Sequence, residues 1–429
     1  MHQKKHTLDS HNGVAGTRRS FGKCAAEMPL TRPNVQFEIV TDVEDFAALQ
    51  QEWSELWRRV GGSPFQSFRC CFHALHEAAI PKGESLYCIV GRRTGRMVLA
   101  WPLIRYREYI WTTLRPLVPD APEQTDVLVE NGDDTQSLVS AAWHTLLSSC
   151  ASDIVSLPCV RTESILHRCA LGARWLAHAH PHTVVQARLQ RYSDWIQYRR
   201  TLPEAFRKEQ DYHRRRLVKA GKVAAFVSRL DEAASATYVN AMFAWKQQWA
   251  ARTAAKGNFF EKTYQNFLLK ILTDPCCIDF FRLFVLSLNG AAIAINLVAI
   301  TDHAVIGMQA AYDPAYAKCS PGSLLLEHIM QWAFDNKRDV DFGSGDARYK
   351  ALWTGGQGYA CTDFRIAVTR WGRLAFAVSA LRRKYESFRH RIGAGALSGA
   401  KISGPDKKAG RSLWNGVRSS QASVIEKDD

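Results

Sequence analysis

At 429 residues, with 46% hydrophobic residues and a mean hydropathy of −0.23, the chain holds material for two domain-sized cores and is too apolar for wholesale disorder. The longest apolar stretch, Phe280 to Ile300, is interrupted by Arg282, Asn289, Gly290 and Asn296, which excludes one bilayer-spanning helix; residues 1–30 lack the apolar centre of a secretory signal, so a cytoplasmic protein is expected. The net charge of +15 lies mainly in the two tails and in residues 199–222, where nine bases face three acids, a distribution that suits a local phosphate site better than a nucleic-acid surface.

In chain order, residues 1–32 read as a basic, disordered tail. A strand at Val35–Val40 leads to a helix rich in Trp53, Leu56 and Trp57, and a second helix begins near Ser67. Leu86–Val90 and Met97–Trp101 flank a tight turn at Arg92–Gly95, strands follow near 109–118 and 126–130, then a helix at 134–149 and a strand at Ile154–Leu157. The second half repeats this order. Helices at 233–252 and 261–272 precede a hairpin turning on Asn289–Gly290, a strand at Ala304–Ala311, a loop, a helix to about Asn336 and a strand at Asp339–Gly343. Two copies of one mixed α/β unit are predicted, at 33–190 and 191–380, with a basic helix and tail at 381–429.

The loop Tyr312–Ser323 is where chemistry is expected. Pro321 and Gly322 turn the chain at a helix N-terminus, so that the N–H groups of residues 322–325 point outward as a cradle for a pyrophosphate; the alternative is an ordinary loop with Ser320 or Ser323 as N-cap. The matching loop of the first half, Glu130–Asp134, is acidic and would repel a phosphate, which assigns the donor site to the second half. Eleven cysteines without a CxxC spacing suggest free thiols in a reducing compartment, and no metal site is expected. There is no Gly-x-Ser-x-Gly elbow, consistent with direct attack and no covalent enzyme intermediate.

The order strand hairpin, strand, Pro-Gly loop, helix, strand, followed by Asp341, Gly345, Tyr349, Lys350 and Trp353, resembles the CelD/BcsL-type (BioF-like) acetyltransferases of the GNAT superfamily. Arg214–Arg216, Trp245–Trp249, Ser63–Gln66 and Ala100–Leu103 also match that pattern, so the resemblance spans roughly 36–375. It implies two tandem GNAT-like units, each a mostly antiparallel mixed sheet flanked by helices. It also implies an acetyl-CoA or other acyl-CoA donor held by Lys318, Ser320, Pro321, Gly322, Ser323 and Leu324, with its carbonyl polarised by backbone of the strand carrying Gln309, Ala310 and Ala311. Asp346 is then the expected base or amine anchor, Tyr349 the proton donor and Lys350 an oxyanion or phosphate contact, whereas capping, packing and solvation are their structural alternatives. Asp341, a carboxylate inside a strand, either pairs with an arginine or lines the acceptor pocket. Trp245 and Arg214 are further substrate-side candidates, Arg214 being equally readable as part of a solvated helix face. The implied acceptor is a small-molecule or saccharide-linked amine or hydroxyl of polysaccharide or envelope metabolism. The same architecture resembles Fem-type aminoacyltransferases, which use aminoacyl-tRNA, and a non-catalytic binding protein with the same fold is the third reading. No specific nucleic-acid partner and no transmembrane segment are expected, and the oligomeric state is not read from the sequence.

Overall fold

Alternating apolar strands and amphipathic helices follow one another twice along the chain, and the computed structural model assembles them on one mixed sheet. It describes residues 35–119, 125–149, 152–228, 232–253, 260–343, 348–378 and 381, so nearly all of both expected tails lies outside the described residues. The first half runs β1 (Gln36–Val40), α1 (Val43–Ala48), α2 (Gln50–Val60), α3 (Phe68–His73), β2 (Ser85–Arg93), β3 (Arg96–Glu108), β4 (Trp111–Pro116), β5 (Leu128–Val129), α4 (Thr135–Ser148), β6 (Ile154–Arg161), α5 (Ile165–Leu171) and β7 (Leu176–Ala187). After α6 (Trp195–Thr201) and α7 (Glu204–Ala220), the second half runs β8 (Val223–Ser228), α8 (Glu232–Thr253), α9 (Lys262–Thr273), β9 (Phe281–Leu288), β10 (Ala291–Ile300), β11 (Ala304–Tyr312), α10 (Pro321–Asp335), β12 (Asp339–Asp341), α11 (Arg348–Thr354) and β13 (Gly358–Ala367). The predicted repetition of element order is therefore present. The β9–β10 hairpin turns as its sequence requires, with both Asn289 (φ 52°) and Gly290 (φ 85°) in the left-handed region.

Neither half closes its own sheet. The strand order is β1-β2-β3-β4-β6-β13-β7-β12-β11-β10-β9-β8, with β5 beside β3. The last strand of the second half, β13, lies against β6 of the first, and the last strand of the first half, β7, lies against β12 of the second. The two exchanged strands pair with each other at the centre, antiparallel from Gly358↔Val185 to Ile366↔Leu176. In each half one parallel contact is short: β4 meets β6 over Thr113 and Leu114, and β11 meets β12 over Ala304, Val305 and Ile306.

The halves also share a helix-side core. Trp57 packs edge-on to Phe280 with centroids 5.3 Å apart, and Phe65 to Phe281 at 5.8 Å. Asp274, beyond the end of α9, accepts from Arg69 Nε at 2.7 Å and lies 2.6 Å from His73 Nε2, both on α3. A second cluster, under α10, holds Leu325, Ile329, Met330 and Trp353 with Phe206 of α7 and Leu189. Burial of each such large side chain stabilises by about 1.5–3 kcal/mol.

Gly358 marks how closely the exchanged strands approach: a Cβ there would stand 2.0 Å from the Val184 carbonyl oxygen. Gly358→Ala is expected to lower stability by about 2 kcal/mol or more through displaced backbone, measurable as a lowered denaturant midpoint; an unchanged midpoint would show that the central pairing tolerates a shift.

Candidate active site

The parallel contact between β11 and β12 ends at Ile306, while β11 continues to Tyr312 and the chain after β12 stays with β7 through Phe342 N–H to Val185 O at 3.1 Å. The strands therefore part, opening the sheet beside residues 307–312. Met308 joins the core under α8 and α9, and a bulge at Met308 shifts the register against β10, so Gln309, opposite Leu297 of that same core, is turned to the α8–α9 side as well. Gln309 is only 2% exposed, and among the described residues neither its Nε2 nor its Oε1 has a partner; Ser323 on α10 is buried with an unpaired Oγ as well. A buried carboxamide left unpaired costs about 1–3 kcal/mol.

The loop after β11 is a short 3-10 turn, Pro314–Cys319, started by Asp313 Oδ1 accepting from Ala315 N–H at 2.9 Å. Ser320 then adopts φ 44°, ψ 53°, and Pro321 begins α10. This corrects the expected cradle. The N–H groups of Ser323 and Leu324 both donate to the Ser320 carbonyl, at 3.1 and 3.2 Å, so they do not face outward; as the N-cap, Ser320 accepts the first intrahelical bonds on its carbonyl. The Ser320 hydroxyl lies 3.2 Å from His213 Nε2 and does not cap the helix. Lys318 is exposed, and its carbonyl accepts from Arg216 Nη1 at 3.3 Å.

Arg214 is occupied elsewhere. It pairs with Asp211 at 2.8 Å and with the buried Glu327 at 2.5 Å, while Arg199 joins the same two carboxylates at 2.6 and 3.0 Å. Two cations and two anions form a closed network that ties α6 and α7 to α10, so this arginine holds the helix in place and is not turned to an acceptor. Trp245 packs against the core under α8 and α9. The acidic loop of the first half is neutralised in turn: Glu130 pairs with Arg96 at 2.8 Å and with Arg59 at 3.2 Å, and Asp134 pairs with Arg93.

Across the gap, the end of β12 carries a buried polar cluster. Asp341 accepts from Gly343 N–H at 2.8 Å and from Tyr359 O–H at 2.7 Å. The Arg161 guanidinium lies over the Tyr359 ring, 3.9 Å from its centroid. Lys350 is 1% exposed and donates to the Gly343 carbonyl at 3.2 Å. Asp341 thus takes its hydrogen bonds from Gly343 and Tyr359, with the charge of Arg161 acting on it from nearby. Burial pushes its carboxyl up; the donors Gly343 and Tyr359 and the charges of Arg161 and Lys350 oppose this without overcoming it. Burial alone would lower the Arg161 value, but Tyr359, Asp341 and Glu163 outweigh it and the guanidinium is held more firmly charged. Tyr349, half-buried against Phe342, is pushed up to about 12 by burial. Asp346 lies outside the described residues.

The structure thus brings Asp341 and Lys350 together and adds two residues that the sequence did not single out. Tyr359 is on the exchanged strand β13, and Arg161 is on β6 of the first half; no local spacing links either to Asp341. His178, His180 and His182 alternate along β7 at a spacing metal ligands use, yet among the described residues no group of three His, Cys, Asp or Glu side chains could hold a metal ion.

Residues 204–351 match a family model described as an acetyltransferase (GNAT) domain. No curated protein matches the chain. Among solved structures, it is similar to a protein of unknown function from Bacteroides thetaiotaomicron (9% identity, 77% of this chain and 99% of that one, TM-score 0.45), to FemX (11%, 79% and 100%, 0.48) and to a tandem GNAT protein from the clavulanic acid biosynthesis pathway (12%, 78% and 99%, 0.42).

A carboxyl with a raised folded-state value contributes stability that is present below the ordinary carboxylate range and lost as pH rises through the raised value. Asp341→Asn removes that loss, so the melting temperature of the wild type relative to the variant is expected to fall as pH rises from about 4 to about 7. Paired melting curves test this; a gap that does not change with pH would remove Asp341 as the titrating group.

Proposed function

With a GNAT-type acetyltransferase domain in its second half, the protein is an acyltransferase, and we propose that its donor is acetyl-CoA or another acyl-CoA and its acceptor an amine or hydroxyl. The observation that carries the donor reading is Gln309, a fully buried carboxamide whose polar atoms have no partner among the described residues, beside parted parallel strands. An amide-bearing donor arm running along β11 complements it, giving an acceptor for Nε2 and a donor for Oε1. Ser323 offers a further hydroxyl on α10, and Arg216, which reaches the Lys318 carbonyl, offers positive charge near the loop for a phosphate.

In this reading the acceptor's nitrogen or oxygen attacks the thioester carbonyl, the new C–N or C–O bond forms and the C–S bond breaks. The backbone of residues 308–311 polarises the carbonyl. Asp346 takes the proton from the acceptor, and Tyr349, whose raised value keeps it protonated, gives one to the departing thiolate. Lys350, buried and anchored to Gly343, fixes the turn after β12, and Asp341 with Tyr359 and Arg161 shapes the acceptor end. The CelD/BcsL-like sequence pattern favours a saccharide-linked acceptor of envelope or polysaccharide metabolism.

Gln309→Met tests the donor site with the intact chain. Removing an unpaired buried amide is expected to leave the free protein as stable or more so, while weakening acetyl-CoA binding about tenfold, from about one or two lost hydrogen bonds. The readout is thermal stabilisation, which reaches about 2.7 kcal/mol at a hundred times the dissociation constant. Gly322→Asp, which adds a carboxylate at the start of α10 beside the loop, is expected to weaken binding, and Gly132→Asp in the first half to spare it. Transfer from charged tRNA with none from any acyl-CoA would move the protein to the Fem-type alternative.

A further inference from the structure

After β13 the chain forms a helix over residues 370–378, whose inner side is fixed to the sheet. Ala375 is buried, a Cβ on Gly372 would meet the Asp153 carbonyl at 2.0 Å, and Thr369 Oγ1 donates to Asp153 Oδ1 at 2.7 Å. The outer side is unusually apolar. Trp371, Leu374, Val378 and Leu381 recur at spacings of three and four, and they are 48, 44, 45 and 67% exposed. The β3–β4 hairpin tip stands beside this stripe, because Trp111 Nε1 donates to the Trp371 carbonyl at 3.1 Å and the two rings lie 6.1 Å apart. That tip adds Tyr109 and Ile110, 76 and 59% exposed. One apolar surface is therefore built from both halves of the chain.

Its surroundings are basic. Arg107, Arg370 and Arg373 are exposed around it, and the neighbouring acid Glu108 is paired with Arg365 at 2.5 Å. In the sequence the same apolar spacing runs on through Tyr385 and Phe388 among Arg382, Arg383, Lys384, Arg389 and Arg391, with Glu386 the only acid from 370 to 391. An apolar stripe with aromatic residues and a cationic border has the chemistry of a helix that lies in a bilayer interface. Among the described residues no helix is long and apolar enough to cross a membrane. Charge decides between occupants: two copies meeting through this face would bring like-charged borders together, whereas an anionic lipid surface complements them.

We propose that the helix at 370–378, with Leu381 and the Tyr109–Ile110 tip, docks the protein on the surface of an anionic lipid bilayer. The surface is separate from the donor site, so the proposal stands apart from the identity of the acyl donor.

The test uses the full chain and flotation with vesicles of phosphatidylcholine alone or mixed with about one quarter phosphatidylglycerol. The wild type is expected to float with the mixed vesicles, to stay behind with pure phosphatidylcholine and to be released by high salt. Leu374→Gln/Val378→Gln and, separately, Tyr109→Gln/Ile110→Gln are expected to cut partitioning about tenfold or more, with melting curves and acetyl-CoA stabilisation unchanged because all four side chains are exposed. Failure of the wild type to float with anionic vesicles would overturn the proposal, as would variants that float like the wild type. A wild-type dimer that these substitutions convert to monomer, without lipid binding, would assign the face to a second copy instead.

Discussion

The antiparallel pairing of β7 with β13 is the constraint on which the rest of the molecule depends. Each of these strands completes the sheet of the other half, so the two halves share one hydrogen-bonded ladder from β1 to β8. Separating them would expose two strand edges and their unpaired backbone groups, which is costly in water and invites association. The helix-side core adds a second tie, through Trp57, Phe65, Phe280 and Phe281 and through the grip of Arg69 and His73 on Asp274.

That exchange also builds the polar cluster around Asp341. Asp341 ends β12, but its hydroxyl donor, Tyr359, comes from β13, and the guanidinium over that ring comes from β6 of the first half. The first half therefore supplies a residue to the polar cluster of the second. Its own acidic loop is closed by Arg59, Arg93 and Arg96, which makes Glu130 and Asp134 structural. Around α10 the same economy of charge holds: Arg199, Arg214, Asp211 and Glu327 neutralise one another while fixing α10 against α6 and α7. The buried Gln309 carboxamide and Ser323 hydroxyl are neutral and have no partner among the described residues.

Much of the fold was legible because its signals are local. The Asn289–Gly290 turn, the strand at Ala304–Tyr312, the helix after Pro321 and the doubled element order follow from backbone preferences and apolar period, and each lies within a few residues of its expected place. Strands β7 and β13 were not legible. β7 sets three histidines and Pro181 where a buried strand would carry large apolar residues, and β13 mixes polar and apolar positions, since both strands lie at the junction of the halves and are covered unevenly. The loop before α10 shows a subtler limit. Its residue types fit an anion cradle, but once α10 begins at Pro321 the N-cap carbonyl of Ser320 takes two of the expected donors.

By itself the sequence determined the mixed α/β character, the repetition and the position of the loop between β11 and α10, because each is set by residues close together in the chain. Tertiary structure alone decided which half closes which sheet, that Arg161 and Tyr359 stand beside Asp341, that Arg214 is paired with Glu327, and that Gln309 is buried with no partner among the described residues. The physical reason is that hydrogen-bond satisfaction and charge pairing are properties of neighbours in space. For Arg161 and Asp341 those neighbours lie on strands from opposite halves, and only the central exchange brings them together.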